Sequence, residues 1–342
     1  MISFKNDYSE GACPQIMQVL QETNEQQSDG YGLDPYCEEA RASIRKKLGC
    51  ENGDVHFFVG GTQANQTIIA SVLRPYEAVI AVDSGHINVH ETGAIEATGH
   101  KVLTALGKAG KVLPKEVQQI VDAHTDEHMV KPAMVYISNA TEIGTVYAKE
   151  ELQALRKVCD ENGLYLFMDG ARLGAAMSAC DNDVKWIDYP NLVDVMYIGG
   201  TKNGALFGEA CIIMNDALKK DFRYHIKQRG GMLAKGRLLG LQFQCLMQDD
   251  LLEKLADHAV SQAQKLQAGI KEKGYTFFVE TTTNQIFPIL DNTTMKCMEE
   301  SFAFQTWETV DETHTAIRLV TSWATKPESV EAFLHALPKV GK

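Results

Sequence analysis

The run Leu164-Tyr165-Leu166-Phe167-Met168-Asp169-Gly170-Ala171-Arg172 reads as a short apolar strand that ends on a carboxylate and a glycine turn. A second apolar run, residues 193–198, ends on Gly199-Gly200-Thr201-Lys202-Asn203-Gly204 and carries an amine where the first carries an acid. In open α/β sheets, ligands bind outside the carboxyl ends of the strands. Asp169 and Lys202 are therefore expected to face one crevice.

Around these two runs, short apolar segments alternate with helical patterns, as in a sheet built mainly from crossover connections. Strands are expected at 55–59, 78–82, 101–105, 133–138, 164–168, 193–198 and 210–214, with helices at 62–73, 89–98, 115–123 and 149–161. Only a glycine-rich loop separates the last two strands, too short for a crossover, which favours an antiparallel pair. Residues 250–273 read as one long amphipathic helix, with Leu251, Leu255, Ala259 and Ala263 four apart. Beyond it, strands are expected at 276–279, 285–290, 302–306 and 316–321, and a closing helix at 327–336. The expected fold class is α/β, with a large domain over 1–249 that includes the N-terminal segment and a small α+β domain over 250–342.

The 342 residues carry a formal net charge of −12, which argues against a general nucleic-acid or anionic-membrane binder. Met1-Ile2-Ser3-Phe4-Lys5-Asn6-Asp7 lacks the basic and apolar regions of a signal peptide, and no apolar run approaches ~18 residues, so a cytoplasmic location is expected. The 8 cysteines are dispersed, without zinc spacing, and read as reduced thiols. His86, His90 and Glu91 lack both the HExxH order and a third ligand, and no metal is expected.

An acid and an amine at one crevice suit pyridoxal 5'-phosphate (PLP). A lysine forms a Schiff base with its aldehyde, and a carboxylate facing the pyridine nitrogen keeps the ring protonated as an electron sink. Three further elements fit such a site. Gly60-Gly61-Thr62-Gln63-Ala64-Asn65 joins an apolar strand to a helical pattern and can cradle a phosphate, although a helix turn capped by Thr62 has the same sequence. Neither this segment nor residues 199–204 matches a nucleotide-binding motif. His86 follows the strand at 78–82, where its ring can stack on a flat cofactor or face solvent. Arg172 and Arg318, the latter a charge within Ile317-Arg318-Leu319-Val320, can each hold a substrate carboxylate or an ordinary ion pair.

The assembled residues resemble the threonine aldolases, PLP enzymes of the aspartate-aminotransferase-like fold (fold type I) that also includes β-eliminating lyases. The matching segments run in order along the chain: Asn6-Asp7, Tyr31-Gly32-Leu33-Asp34-Pro35, Gly61-Thr62-Gln63-Ala64-Asn65, His86, Asp169-Gly170-Ala171-Arg172, Lys202 and Arg318-Leu319-Val320-Thr321. The resemblance implies a three-layer α/β/α large domain with a mainly parallel seven-stranded sheet. It makes Lys202 the PLP-attaching residue, with Thr201 beside it, and gives Asp169 the pyridine nitrogen. It places Gly61, Thr62 and Gln63 at the phosphate and His86 over the ring. Arg172 and Arg318 become substrate-carboxylate ligands, and Arg172 borders the cofactor as well. Arg229, before Gly230-Gly231-Met232, resembles a segment that helps hold the phosphate, often from a neighbouring subunit.

Two departures stand out. Asn6 occupies the place of a serine that binds the substrate carboxylate in many relatives. Ser138-Asn139-Ala140-Thr141-Glu142-Ile143-Gly144 replaces a segment that carries a second active-site histidine. The resemblance implies cleavage of a β-hydroxy-α-amino acid, of the threonine or allo-threonine type, to glycine and an aldehyde, in a homodimer or homotetramer. His86, or a water that it positions, is the expected base. The alternative is a β-eliminating or other amino-acid lyase on the same scaffold.

Overall fold

The structure, a computed structural model, describes residues 1–341. Seven strands form the large sheet: β1 (Asp54–Phe58), β2 (Glu77–Val82), β3 (Val102–Ala105), β4 (Lys131–Ser138), β5 (Tyr165–Asp169), β6 (Val195–Gly199) and β7 (Glu209–Ile213). Their order across the sheet is β1-β7-β6-β5-β4-β2-β3. Every end lies within two residues of its expected position. Only β7 runs against its neighbours, β1 and β6, as the short connection before it requires. Its first residue, Glu209, consequently stands at the edge where the other strands finish, paired with Gly199 and Phe58.

Strict alternation gives the sheet two cores. Val135, Ile137, Leu166, Met168, Met196 and Ile198 face one of them. Met134, Tyr136, Phe167, Val195 and Tyr197 face the other. Helices cover both faces, among them Pro35–Leu48 on the first and Gly61–Val72 on the second. Each fully buried large apolar side chain contributes roughly 1.5–3 kcal/mol. A one-residue slip would exchange the faces of an entire strand, so this burial fixes the register. The same register aims the hydroxyls of Tyr136 and Tyr197 at Asp169.

The loops after β5 and β6 meet backbone to backbone. The Gly199 amide donates to the Gly170 carbonyl at 2.9 Å. A Cβ on Gly170 would lie 2.0 Å from the Tyr197 carbonyl oxygen, and one on Gly199 would lie 2.3 Å from that of Ala171. Real side chains do not tolerate such distances, so the contact depends on glycine at both positions. Asn203 donates to the carbonyls of Gly199 and Ala171 at 2.7 and 3.2 Å and ties the lysine loop to the aspartate loop.

The helix expected at 89–98 is instead a short turn, His86–Val89, and a 3-10 turn, Glu96–Thr98. Thr92 and Gly93 between them have φ of 53° and 71°, left-handed values that break a helix. Helices Pro14–Glu22, Pro35–Leu48 and Arg237–Met247 were not anticipated from the sequence pattern. The second of these begins with Asp34, whose carboxylate accepts from the Cys37 amide at 2.9 Å, and with a proline in its first turn.

The long helix Leu251–Glu272 leads to a second, antiparallel sheet of β8 (Phe277–Val279), β9 (Gln285–Asp291), β10 (Gln305–Thr309) and β11 (His314–Val320), in the order β10-β11-β9-β8. The strand expected at 302–306 is divided. Gln305–Thr309 joins this sheet, whereas Phe302–Ala303 pairs in parallel with Ile2–Ser3. Phe4 is buried among Phe302, Phe333 and Leu319 in the core of this second unit, so the first residues pack here, and not on the large sheet with which the sequence reading groups them.

Candidate active site

A cavity of 310 Å³ opens at the carboxyl ends of the large sheet, with Gly61, Thr62, His86, Asp169, Arg172 and Lys202 among its walls. Asp169 is almost wholly buried. Its Oδ2 accepts from the Tyr136 hydroxyl at 2.6 Å and from Asn65 Nδ2 at 3.3 Å, and its Oδ1 accepts from the Ala171 amide at 2.9 Å. Burial alone would raise its pKa. The charge of His86 and the hydroxyls of Tyr136 and Tyr197 outweigh that effect and hold it below 3.8. Asp169 is thus a fixed anion in a low-dielectric pocket.

Lys202 occupies the turn between β6 and β7. Burial and the Arg172 charge push its amine below 10.5, while Asp7, Asp169 and Glu209 pull the other way. A lowered pKa increases the neutral, nucleophilic fraction that Schiff-base formation needs. Thr201 lies between the lysine and Glu209: its hydroxyl donates to Glu209 Oε1 at 3.0 Å and accepts from the Gly208 amide at 3.0 Å.

Burial pushes Glu209 up to about 8 from 4.5, opposed by Lys202 and the Thr201 hydroxyl. Between these two values the folded protein holds a proton that the unfolded chain has released, so this group's contribution to stability declines as pH rises through that window. Glu209→Gln is expected to remove this decline and to raise the melting temperature of the cofactor-free protein near the top of the window. Equal pH dependence of Tm in the two proteins would assign the effect elsewhere.

The glycine segment opens the helix Gly61–Val72 at the same edge. Extended backbone at Gly60 leaves the first amides of the helix unpaired for an anion. A Cβ on Gly61 would approach the Tyr197 hydroxyl to 3.0 Å, so the helix start sits closely over β6. Gln63 accepts from the Val59 amide at 3.3 Å and donates to the Arg229 carbonyl at 3.2 Å. Its side chain therefore joins this segment to the Arg229 loop. The Arg229 guanidinium itself donates to Gln228 and lies outside the cavity wall.

The two expected carboxylate ligands differ in their surroundings. Arg172 is closed on Asp7 by two bonds, Nε to Oδ2 at 2.7 Å and Nη2 to Oδ1 at 3.0 Å. Burial would raise the Asp7 carboxyl, but Arg172 and Lys202 keep it low. Among the described residues, Arg318 has no carboxylate within ion-pair distance. It donates to Gln305 and, at 3.5 Å, to Gln285, and lies over the Trp307 ring at 5.4 Å. Burial and the neighbouring Arg172 charge push it down to about 10. A half-buried cation without a counter-ion has the electrostatics of an anion receptor. The Asn6 side-chain oxygen accepts from the Tyr8 amide at 3.0 Å and the Ser9 hydroxyl at 2.8 Å, and Tyr8 supplies that part of the cavity wall.

An anionic pocket for a ring nitrogen, an activated amine and a helix-start cradle occur together, a set that fits PLP. The family model of the beta-eliminating lyases matches residues 4–293. The chain belongs to that family. Within the beta-eliminating lyases it is 36% identical to the low specificity L-threonine aldolase of Pseudomonas aeruginosa, over 75% of this chain and 74% of that one. It is 33% identical to the Pseudomonas sp. enzyme of the same name, over 83% of both chains. The solved structure of Leishmania major threonine aldolase superposes with a TM-score of 0.97 at 46% identity, covering 98% of each chain. Thermus thermophilus aspartate aminotransferase, at 15% identity and a TM-score of 0.70, shares the fold.

In this beta-eliminating lyase the His86 ring is held from behind: its Nδ1 faces Glu91 Oε1 at 2.8 Å, and Glu91 is buried. Asn65 Nδ2 donates to the same Glu91 oxygen at 2.7 Å as well as to Asp169. On the other side of Asp169, the Tyr136 hydroxyl lies 3.3 Å from the Ser138 hydroxyl oxygen. Ser138 donates to Glu142 Oε1 at 2.6 Å, and Glu142 Oε1 accepts from the His86 backbone amide at 3.0 Å. The seven residues His86, Glu91, Asn65, Asp169, Tyr136, Ser138 and Glu142 form a chain of polar contacts around the pocket. Sequence reading did not single out Tyr136 or Glu209, met Glu91 only as a rejected metal ligand, and met Glu142 only within the departing segment 138–144. For Glu209 the same cue that marks Arg318, a charge beside an apolar strand, was available.

Proposed function

We propose that the protein cleaves a β-hydroxy-α-amino acid of the L-threonine or L-allo-threonine type to glycine and an aldehyde, with PLP as cofactor. The observation that carries this reading is the single cavity whose wall holds Asp169, Lys202 and the Gly61 helix start together. When bound, PLP supplies an electron sink for the pair released as the Cα–Cβ bond breaks. The chain supplies the rest. Lys202 offers the amine for attachment, and Asp169 holds the proton on the pyridine nitrogen. The amides that begin Gly61–Val72, with Thr62 and Gln63, receive the phosphate, and His86 lies against the ring.

Arg318, with its charge uncompensated, takes the substrate carboxylate. Arg172 borders that position and is kept in place by Asp7. This fixes the orientation of the amino acid, a contribution worth far more than its binding energy alone. The names of the relatives support the substrate class: two low specificity L-threonine aldolases match over 75% and 83% of this chain. Incubation with L-threonine, L-allo-threonine and phenylserine, and separately with serine and cysteine derivatives, tests the assignment. Glycine with an aldehyde is the expected product pair. Ammonia with a keto acid, and no glycine, would instead establish β-elimination.

We also place the protein in the cytoplasm as a homodimer or homotetramer. Among the described residues no helix is long and apolar enough to cross a membrane. Tyr31, Leu33 and Tyr224 are exposed around the Arg229 helix, where the Lys227 amine lies over the Tyr31 ring. An apolar surface at this point supports association that would bring Arg229 to a neighbouring copy's phosphate site.

A further inference from the structure

The proposed reaction requires a group that removes the proton of the substrate's β-hydroxyl, and it must be one that is not already committed. Asp169 is occupied by three donors and serves the ring. Glu209, paired in register with Phe58 and Gly199, is bonded at Oε1 by the Thr201 hydroxyl of the Lys202 turn. His86 is bound at Nδ1 by Glu91, which leaves Nε2 as its one free ring nitrogen for the proposed ring face. Glu142 remains. It lines the cavity beside His86 and is 8% exposed, with Oε1 fixed by the Ser138 hydroxyl and the His86 amide. Its Oε2 is buried and has no hydrogen-bond partner among the described residues.

A buried carboxylate oxygen without a donor is costly, and a ligand that brings one relieves the cost. In the proposed complex the substrate amine goes to the cofactor and its carboxylate to Arg318, so the β-hydroxyl is the one donor left. We propose that Glu142 is a catalytic residue that accepts the β-hydroxyl hydrogen bond and takes its proton, the Oε2 atom being the acceptor. This rests on the aldolase reading given above. The O–H bond breaks, its electrons form the aldehyde carbonyl, and the Cα–Cβ pair passes to Cα. Cα then takes up one proton and glycine results, so the proton lost from oxygen is matched by the one gained at carbon. Burial and the Asp169 charge raise the Glu142 carboxyl above 4.5, with Ser138 and His86 opposing; that direction makes it a stronger proton acceptor than a solvated carboxylate.

The test is Glu142→Gln, which keeps the shape and the Ser138 contact but cannot take a proton. Three quantities are compared at saturating PLP: cleavage of threonine or phenylserine, exchange of the glycine α-proton with deuterium oxide, and the Kd for PLP from absorbance titration. Glycine has no β-hydroxyl, so exchange needs Lys202 and Asp169 but not a β-hydroxyl base. Cleavage is expected to fall by roughly 10²- to 10⁴-fold, with exchange and Kd unchanged within a small factor. If cleavage and exchange fall together, Glu142 only shapes the cofactor site and the proposal is overturned. Unchanged cleavage overturns it as well. A wild-type protein that exchanges glycine but cleaves no β-hydroxy amino acid would refute the aldolase reading itself, a distinguishable result. Should Glu142→Gln fail to fold by circular dichroism, Glu142→Asp carries the same comparison, with a selective loss of cleavage supporting the role and a parallel loss refuting it.

Discussion

Lys202→Ala is expected to abolish covalent retention of the cofactor and to lower turnover by at least about 10³-fold, within the range set by losing an attacking group that also moves protons. The lysine is set for this role by position and by charge. It projects from a turn whose ends are pinned, Gly200 and Thr201 both donating to the Gly208 carbonyl and Asn203 donating back to Gly199. Its amine is destabilised as a cation by burial and Arg172. Alanine leaves those backbone bonds in place, so the variant should fold and should still take PLP into the cavity by its phosphate and ring contacts. The measurement is borohydride reduction followed by mass spectrometry. Wild-type protein should gain one pyridoxyl group at Lys202, and the variant none. Labelling of another lysine in wild-type protein would overturn the assignment.

Asp169→Asn is expected to reduce the rate of glycine formation by roughly 10²- to 10³-fold at saturating PLP, the cost typical of removing one preorganised electrostatic contact. Asparagine preserves the outline of the side chain, and its single oxygen keeps either the Tyr136 hydroxyl or the Ala171 amide, which bond to different oxygens of the carboxylate. What it removes is the negative charge. The surrounding donors keep Asp169 ionised despite its burial, so in the wild type the charge is present throughout the neutral range. Without it, a pyridine nitrogen in this pocket has no anion to hold its proton, and the bond-breaking step loses its sink. Near-normal turnover in Asp169→Asn, with PLP bound, would show that the ring nitrogen is served by some other group.

Much of the frame was legible because strands at the centre of an α/β sheet are buried on both faces and read as unbroken apolar runs. Those runs located the carboxyl edge, and with it Asp169, Lys202 and the Gly60-Gly61 turn. The helices at 14–22 and 35–48 were less legible, since the second has charged residues on most of its turns and its start signal, Asp34 before Pro35, is a cue of only two residues. Partnerships were the least legible part. Arg172 reads as a substrate ligand in isolation, but its fork is filled by Asp7, 165 positions earlier. Asn65 is an ordinary helix residue until the fold brings Glu91 and Asp169 to its amide. No local pattern encodes such pairs, because the sheet order creates them.

The N-terminal segment has a consequence for the order in which the molecule is completed. Ile2 and Ser3 pair with Phe302 and Ala303, the Phe4 carbonyl accepts from the Val320 amide at 2.8 Å, and Asp7 is held by Arg172 and Asn284. Contacts this far apart in the chain close late, because the entropy of a long loop must be overcome before they contribute. During synthesis, residues 2–7 must wait for residues 284–320 before they find their places. Until then Arg172 lacks its anchor. The large sheet can assemble well before that point, but the Asp7–Arg172 corner of the cavity cannot be finished on a chain that stops short of Val320.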